Sequence, residues 1–81
     1  MATLRMFASA REAAGTSRAE FAGSTVGEIL AAAEESFGEA FARVLPSCKI
    51  WLNGEAADAA DPVSAGDEVA VLPPVSGGCD D

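Results

Sequence analysis

Short alternating runs stand at both ends of the chain, and a helical repeat of apolar residues lies between them. In Thr3-Leu4-Arg5-Met6-Phe7, Leu4 is set apart from Thr3 and Arg5, which predicts a first strand. The segment Ala8 to Gly15 is rich in small residues and is open to either a helical turn or a loop. Arg18-Ala19-Glu20-Phe21 alternates again, giving a second strand antiparallel to the first and closed by Gly23. Thr25-Val26-Gly27-Glu28 then fits a capping box, in which hydroxyl and carboxylate satisfy free N–H groups at a helix start. Val26, Ile29, Leu30, Ala33 and Phe37 fall on one face of that helix, with Glu28, Glu34 and Glu35 away from it. The helix is predicted from about Val26 to Ser36, ending at Gly38. A further turn over Glu39 to Val44 carries Phe41 toward the core before Pro46 stops it.

The second half reads as strands. Lys49-Ile50-Trp51-Leu52 leads into Asn53-Gly54, the strongest short hairpin signal in the chain, and Glu55-Ala56 returns. Asp58 to Pro62 is loop and Ala65-Gly66-Asp67 is a turn. Glu68-Val69-Ala70-Val71-Leu72 is apolar on both faces, the mark of a strand in the middle of a sheet with a helix over one side. Phe7 is expected in the core, whereas Trp51 suits either the core or a partner surface. The order ββαβββ predicts an α+β roll, one main helix packed across a mixed sheet of about five strands. Residues 1–76 make one domain, and 73–81 make a C-terminal tail.

At 81 residues a single small domain is the limit, burying roughly 60% of its unfolded surface. A deep catalytic cleft with its own walls is not expected. Net charge is −8, and residues 50–81 hold seven acids with no Lys or Arg, which disfavours nucleic acid and anionic membrane as partners. The complement is a basic surface on another protein, with Asp67 and Glu68 the candidate contacts because they adjoin the strand that feeds the tail. The bland reading is that the acidity serves solubility alone. The chain has no histidine, and Cys48 and Cys79 do not form a metal-ligand spacing. Cys48 is expected to be a small buried hydrophobe. Two cysteines and no signal-like apolar segment in Met1 to Phe7 predict a reducing, cytoplasmic setting.

The tail is the most informative segment. Pro73-Pro74 cannot continue a sheet ladder, and Gly77-Gly78 carry no side chains. Pro73 to Gly78 therefore reads as a thin arm, with a reach of at most about 20 Å. Such an arm can place the Gly78 carbonyl carbon in a narrow site of another protein. Val75 and Ser76 lie in the threaded part, and Val75, which no core covers there, suits a partner groove. Cys79-Asp80-Asp81 follow, so Gly78 holds an amide as encoded.

Leu4-Arg5-Met6-Phe7-Ala8-Ser9-Ala10-Arg11-Glu12-Ala13-Ala14-Gly15 resembles the N-terminal signature of the small, sulfur-carrying subunit of molybdopterin synthase, MoaD. Leu52-Asn53-Gly54-Glu55, Gly66-Asp67-Glu68-Val69-Ala70 and Leu72-Pro73-Pro74-Val75-Ser76-Gly77-Gly78 are similar to the C-terminal half of the same MoaD/ThiS sulfur carriers. The likeness spans residues 3–78, and the Pro-Pro-Val-Ser-Gly-Gly ending is its most specific part. It implies a β-grasp, ubiquitin-like fold. It also implies a co-substrate, not an enzyme, with no cofactor of its own. An adenylating enzyme of the ubiquitin-activating type would use ATP on the carboxylate matching Gly78, and a sulfurtransferase would supply the sulfur of a thiocarboxylate. The large molybdopterin synthase subunit would receive the arm, bounded by Pro73 and Pro74 at its root, and cyclic pyranopterin monophosphate would take the sulfur.

The departure is the extension beyond Gly78. An amide cannot be adenylated, so the resemblance implies cleavage between Gly78 and Cys79, as a JAMM-type metalloprotease does for some relatives. Those relatives supply sulfur for cysteine or secondary-metabolite synthesis. Two other classes stay open: a modifier joined through Gly78 to a lysine, and a β-grasp binding module indifferent to loss of Gly77 and Gly78.

Overall fold

A computed structural model describes residues 1–74. The elements follow in the order β1 (Ala2–Met6), α1 (Ala8–Ala14), β2 (Arg18–Phe21), α2 (Val26–Phe37), α3 (Glu39–Val44), a 3-10 turn at Leu45–Ser47, β3 (Lys49–Leu52), β4 (Glu55–Ala56) and β5 (Glu68–Leu72). The strands form one mixed sheet in the order β2-β1-β5-β3-β4. β1 pairs antiparallel with β2 and parallel with β5, and β5 pairs antiparallel with β3. The strand that is apolar on both faces is central, as its composition predicts.

The helical start follows its sequence signal with one change. The Thr25 hydroxyl accepts from the Glu28 N–H at 3.2 Å, but the Glu28 carboxylate accepts from the Ser24 N–H at 2.6 Å in place of that of Thr25. Backbone bonds from Val26 N–H to Asp61 O and from Val63 N–H to Ser24 O, each 2.9 Å, tie this helix end to the 57–63 loop. Asn53 and Gly54 both take positive φ (51° and 86°), the turn geometry that joins β3 to β4 without splaying them.

The core lies between the sheet and the helices. Leu4, Met6, Val69 and Val71 point into it from β1 and β5, against Val26, Ile29 and Ala33 of α2 and Phe41 of α3. Leu30 and Phe37 pack at its edge, half-buried. Phe37 meets Phe21 and Phe41 edge-to-face, with ring centres 5.7 and 5.3 Å apart, locking β2, α2 and α3 together. The Ala8–Gly15 segment, open to helix or loop by sequence, is a helix: Ala10 is fully buried, and Gly15, left-handed at φ 79°, closes it by donating to Arg11 O at 2.9 Å. α2 is the main helix, with α1 and α3 as short companions. No helix among the described residues is long and apolar enough to cross a membrane.

One expectation is overturned. Phe7 is not a core residue; it is 38% exposed. Its backbone is extended (φ −126°, ψ 153°), so the strand's alternation continues past Met6 and sends Phe7 to the side of Arg5, away from Leu4 and Met6. The Arg5 guanidinium lies 5.6 Å from the ring centre, a cation–π contact that shields part of the exposed ring.

Candidate functional site

Because β5 is central and runs parallel to β1, its last residue delivers the chain to one end of the sheet. The Phe7 N–H donates to Val71 O at 3.2 Å, fixing the end of β1 beside that exit. On the other flank Lys49 stands in register with Leu72 and Trp51 with Ala70. Val69 and Val71 face the core, so Ala70 and Leu72 face the opposite, helix-free side. Trp51 and Lys49 share that side with them. The sequence left Trp51 between core and surface; the structure places it half-buried on the open sheet face.

Two hollows meet at this pair. One, of about 490 Å³, is lined by Lys49, Trp51, Leu72, Pro73 and Pro74. The other, of about 510 Å³, is lined by Cys48, Lys49, Ile50, Trp51, Ala56 and Ala57. Indole, leucine and two pyrrolidine rings give the first an apolar lining with one cation at its rim. Lys49 was not singled out by sequence as a contact residue, and Trp51 was left open between the core and a partner surface. The signal was available in the pairing of two short strands, which sets Trp51 beside Ala70, too small to cover it.

The expected contact residues divide between the two ends of β5. Pro73, half-buried, and Pro74, exposed, line the hollow at the exit. Glu68 lies at the other end, about 13 Å away along the strand. Its carboxylate pairs with Arg5 Nη1 at 3.2 Å, both side chains near half exposure. Asp67 is engaged in its own turn: its carboxylate accepts from the Ser64 N–H at 2.8 Å. That bond, and then the neighbouring Asn53 side chain, hold the Asp67 carboxyl below the usual carboxylate range. Asn53 also bonds Glu68 through its backbone N–H (2.8 Å to Glu68 O) and its side-chain oxygen (2.9 Å from Glu68 N). Val75, Ser76, Gly77, Gly78 and Cys79, the remaining site residues named from sequence, lie outside the described residues.

Cys48 is half-buried, its thiol donating to Val44 O at 3.2 Å, and burial pushes its pKa up. A thiol held protonated is a weak nucleophile, in keeping with a packing role.

Residues 4–78 match the model of the ThiS family. Among solved structures, the crystal structure of small archaeal modifier protein 1 from Haloferax volcanii is 35% identical, over 95% of this chain and 98% of that one, with a TM-score of 0.80. The solution structure of small archaeal modifier protein 1 from Methanosarcina acetivorans is 27% identical over 95% of each chain, with a TM-score of 0.86. A third, the complex of subunits 1 and 2 of the molybdopterin-converting factor from Helicobacter pylori, is 26% identical over 95% of this chain and 97% of that one, with a TM-score of 0.70. No match is found among curated proteins. The β-grasp fold expected from the resemblance is thus shared with structures that cover nearly all of the chain, and the chain belongs to the ThiS family of ubiquitin-like sulfur carriers.

Proposed function

We propose that this chain is a sulfur carrier whose reactive group is the carboxylate of Gly78, freed by removal of Cys79-Asp80-Asp81. The observation that carries the reading is that the family match runs to Gly78 and stops before Cys79, while the central strand hands the chain to the arm beside an apolar hollow. ATP converts a poor electrophile, the carboxylate, into an acyl adenylate with loss of pyrophosphate, and a sulfur nucleophile then displaces AMP. The resulting thiocarboxylate gives up its sulfur, and the carboxylate returns for another cycle. The chain contributes the acyl group and the fit; the catalytic groups belong to an adenylating enzyme of the ubiquitin-activating type and a sulfurtransferase. Trimming falls to a protease, of the JAMM metalloprotease kind in this reading.

For the acceptor we infer molybdopterin synthesis, supported by the H. pylori complex, in which a similar chain is held by the second subunit of its factor. Incubating the thiocarboxylated chain with the large synthase subunit and cyclic pyranopterin monophosphate tests this: dithiolene product supports it. Failure to form product points to a carrier for cysteine or secondary-metabolite synthesis.

A second reading is favoured by one observation. A protein 35% identical is described as a modifier, so Gly78 in isopeptide linkage to a lysine is the competing fate. Both fates begin with the same adenylate. Intact masses of partner proteins separate them, because a conjugate adds the whole chain and a carrier adds nothing.

A further inference from the structure

We propose that the helix-free face of the sheet docks an acidic amphipathic helix of a partner protein, its apolar stripe over Phe7, Leu72 and Trp51 and its flanking carboxylates on Arg18 and Lys49. Strand register carries the argument, because residues paired across strands share a face. Glu20, Thr3 and Glu68 form one row across β2, β1 and β5. The next row is Arg18, Arg5, Ala70 and Trp51, running on to β3. Phe7 and Leu72 each lie one residue beyond the Met6–Val71 pair, and Lys49 stands opposite Leu72. The face is therefore graded. Acids occupy the end away from the arm, and cations with large apolar side chains occupy the end where β5 releases the chain.

Charge selects the occupant. The chain has 5 Lys and Arg residues against 13 acids, yet Arg5, Arg18 and Lys49 all share this face. Arg5 reaches back to Glu68, and neither Arg18 nor Lys49 has an ion pair among the described residues. Arg18 and Arg5 stand directly opposite one another, an unfavourable juxtaposition that a carboxylate placed between them offsets. Size selects a helix. The apolar band runs from β1 to β3, two strand spacings or about 10 Å, which is the diameter of a helix with its side chains. Ala70 lies low between Arg5 and Trp51 and leaves room for a large apolar side chain, and the hollow lined by Trp51 and Leu72 continues that room toward Pro73. With the stripe along β5, the two flanks of the helix overhang β2 and β3, where Arg18 and Lys49 stand. Extended polyanions fit poorly, because Glu20 and Glu68 hold the same face about 7 Å from the arginine row and the net charge is −8. A second copy fits poorly too. Its α2 turns Val26, Ile29 and Ala33 into its own core and exposes Glu28, Ala31, Glu35 and Ser36, none of them large and apolar.

The probe is a synthetic peptide of about four helical turns, with leucines at i, i+3, i+4 and i+7 and glutamates on both flanks; its twin carries lysine for every glutamate. Each is titrated into the isotope-labelled 81-residue chain and followed by NMR. The acidic peptide should shift, saturably, the amide signals of Arg5, Phe7, Ala70 and Leu72 and the indole N–H of Trp51, and leave those of α2 in place. The lysine twin should bind at least about tenfold more weakly. Arg18→Glu/Lys49→Glu should reverse that order, whereas Arg18→Lys/Lys49→Arg should keep it. Both side chains are exposed, so each double variant should fold. Equal binding of the two peptides, shifts centred on α2, or no shift with the acidic peptide would overturn the proposal. So would the same shifts produced by a DNA duplex, by anionic vesicles or by raising the concentration of the chain alone, each of which would name another occupant. The titration uses neither ATP nor a free Gly78 carboxylate, so its failure is distinct from failure of the carrier reading.

Discussion

Arg5 and Phe7, two residues apart at the end of β1, leave the sheet on the same side, and the guanidinium carbon of Arg5 lies 5.6 Å from the Phe7 ring centre. An exposed ring beside the arm's exit contributes little to folding and much to a contact surface. Phe7→Ala should therefore lower stability by less than about 1 kcal/mol, the scale of an exposed cation–π pair, as measured by chemical denaturation. The same variant should bind an activating enzyme more weakly. A loss near the 3–5 kcal/mol of a buried phenylalanine would return Phe7 to the core.

Ile29 and Leu30 are neighbours on α2 with different burial, the first fully enclosed and the second at the core's edge. Ile29→Ala should cost about 2–5 kcal/mol, and Leu30→Ala distinctly less. Equal losses in urea titrations would show that the helix is rotated from the orientation described.

Asp67 gives the fold a pH dependence whose sign follows from its lowered pKa. The ionised form is the one the fold favours. Its contribution is complete above the ordinary carboxylate value of about 4 and is lost as pH falls through the lower folded value. The stability gap between the unaltered chain and Asp67→Asn should be largest at neutral pH and narrow in acid. A gap constant with pH would mean that the charge of Asp67 does not matter.

Glu68 tests the acidic half as a docking surface. Glu68→Lys removes its pair with Arg5, an exposed interaction worth about 0–1 kcal/mol, so folding should hold. Association with an activating enzyme should slow and lose part of its salt dependence. Binding that ignores ionic strength would contradict this role.

The main architecture was legible because it rests on periodicity. A 3.6-residue repeat marks α2, Asn53-Gly54 marks the β3–β4 turn, and apolar residues on both faces mark β5 as central. Where size was weighed above alternation the reading failed: Phe7 follows Leu4 and Met6 by an odd step and so faces the other way. α1 carries no repeat in its small residues; its helix depends on Ala10 reaching the core and on Gly15 closing the end. The acids were read as partner-facing charge. Yet Asp61 accepts from the Asp58 N–H at 2.9 Å and Asp67 from the Ser64 N–H at 2.8 Å, so two of them are turn acceptors. Only three-dimensional pairing could distinguish these from free charge. The hollow was hidden for a similar reason, since Lys49 and Trp51 meet Leu72 and Ala70 across more than eighteen residues of chain.

The central claim is that Gly78 carries the reactive acyl group once the residues after it are gone. Intact-mass spectrometry of two chains, one ending at Gly78 and one of 81 residues, tests it most directly. Each is incubated with ATP, an activating enzyme and a sulfur source. The chain ending at Gly78 should gain the mass of one oxygen exchanged for sulfur, and the 81-residue chain should stay unchanged until a protease is added. Thiocarboxylate on the uncut 81-residue chain, or none on the chain ending at Gly78, would contradict the account.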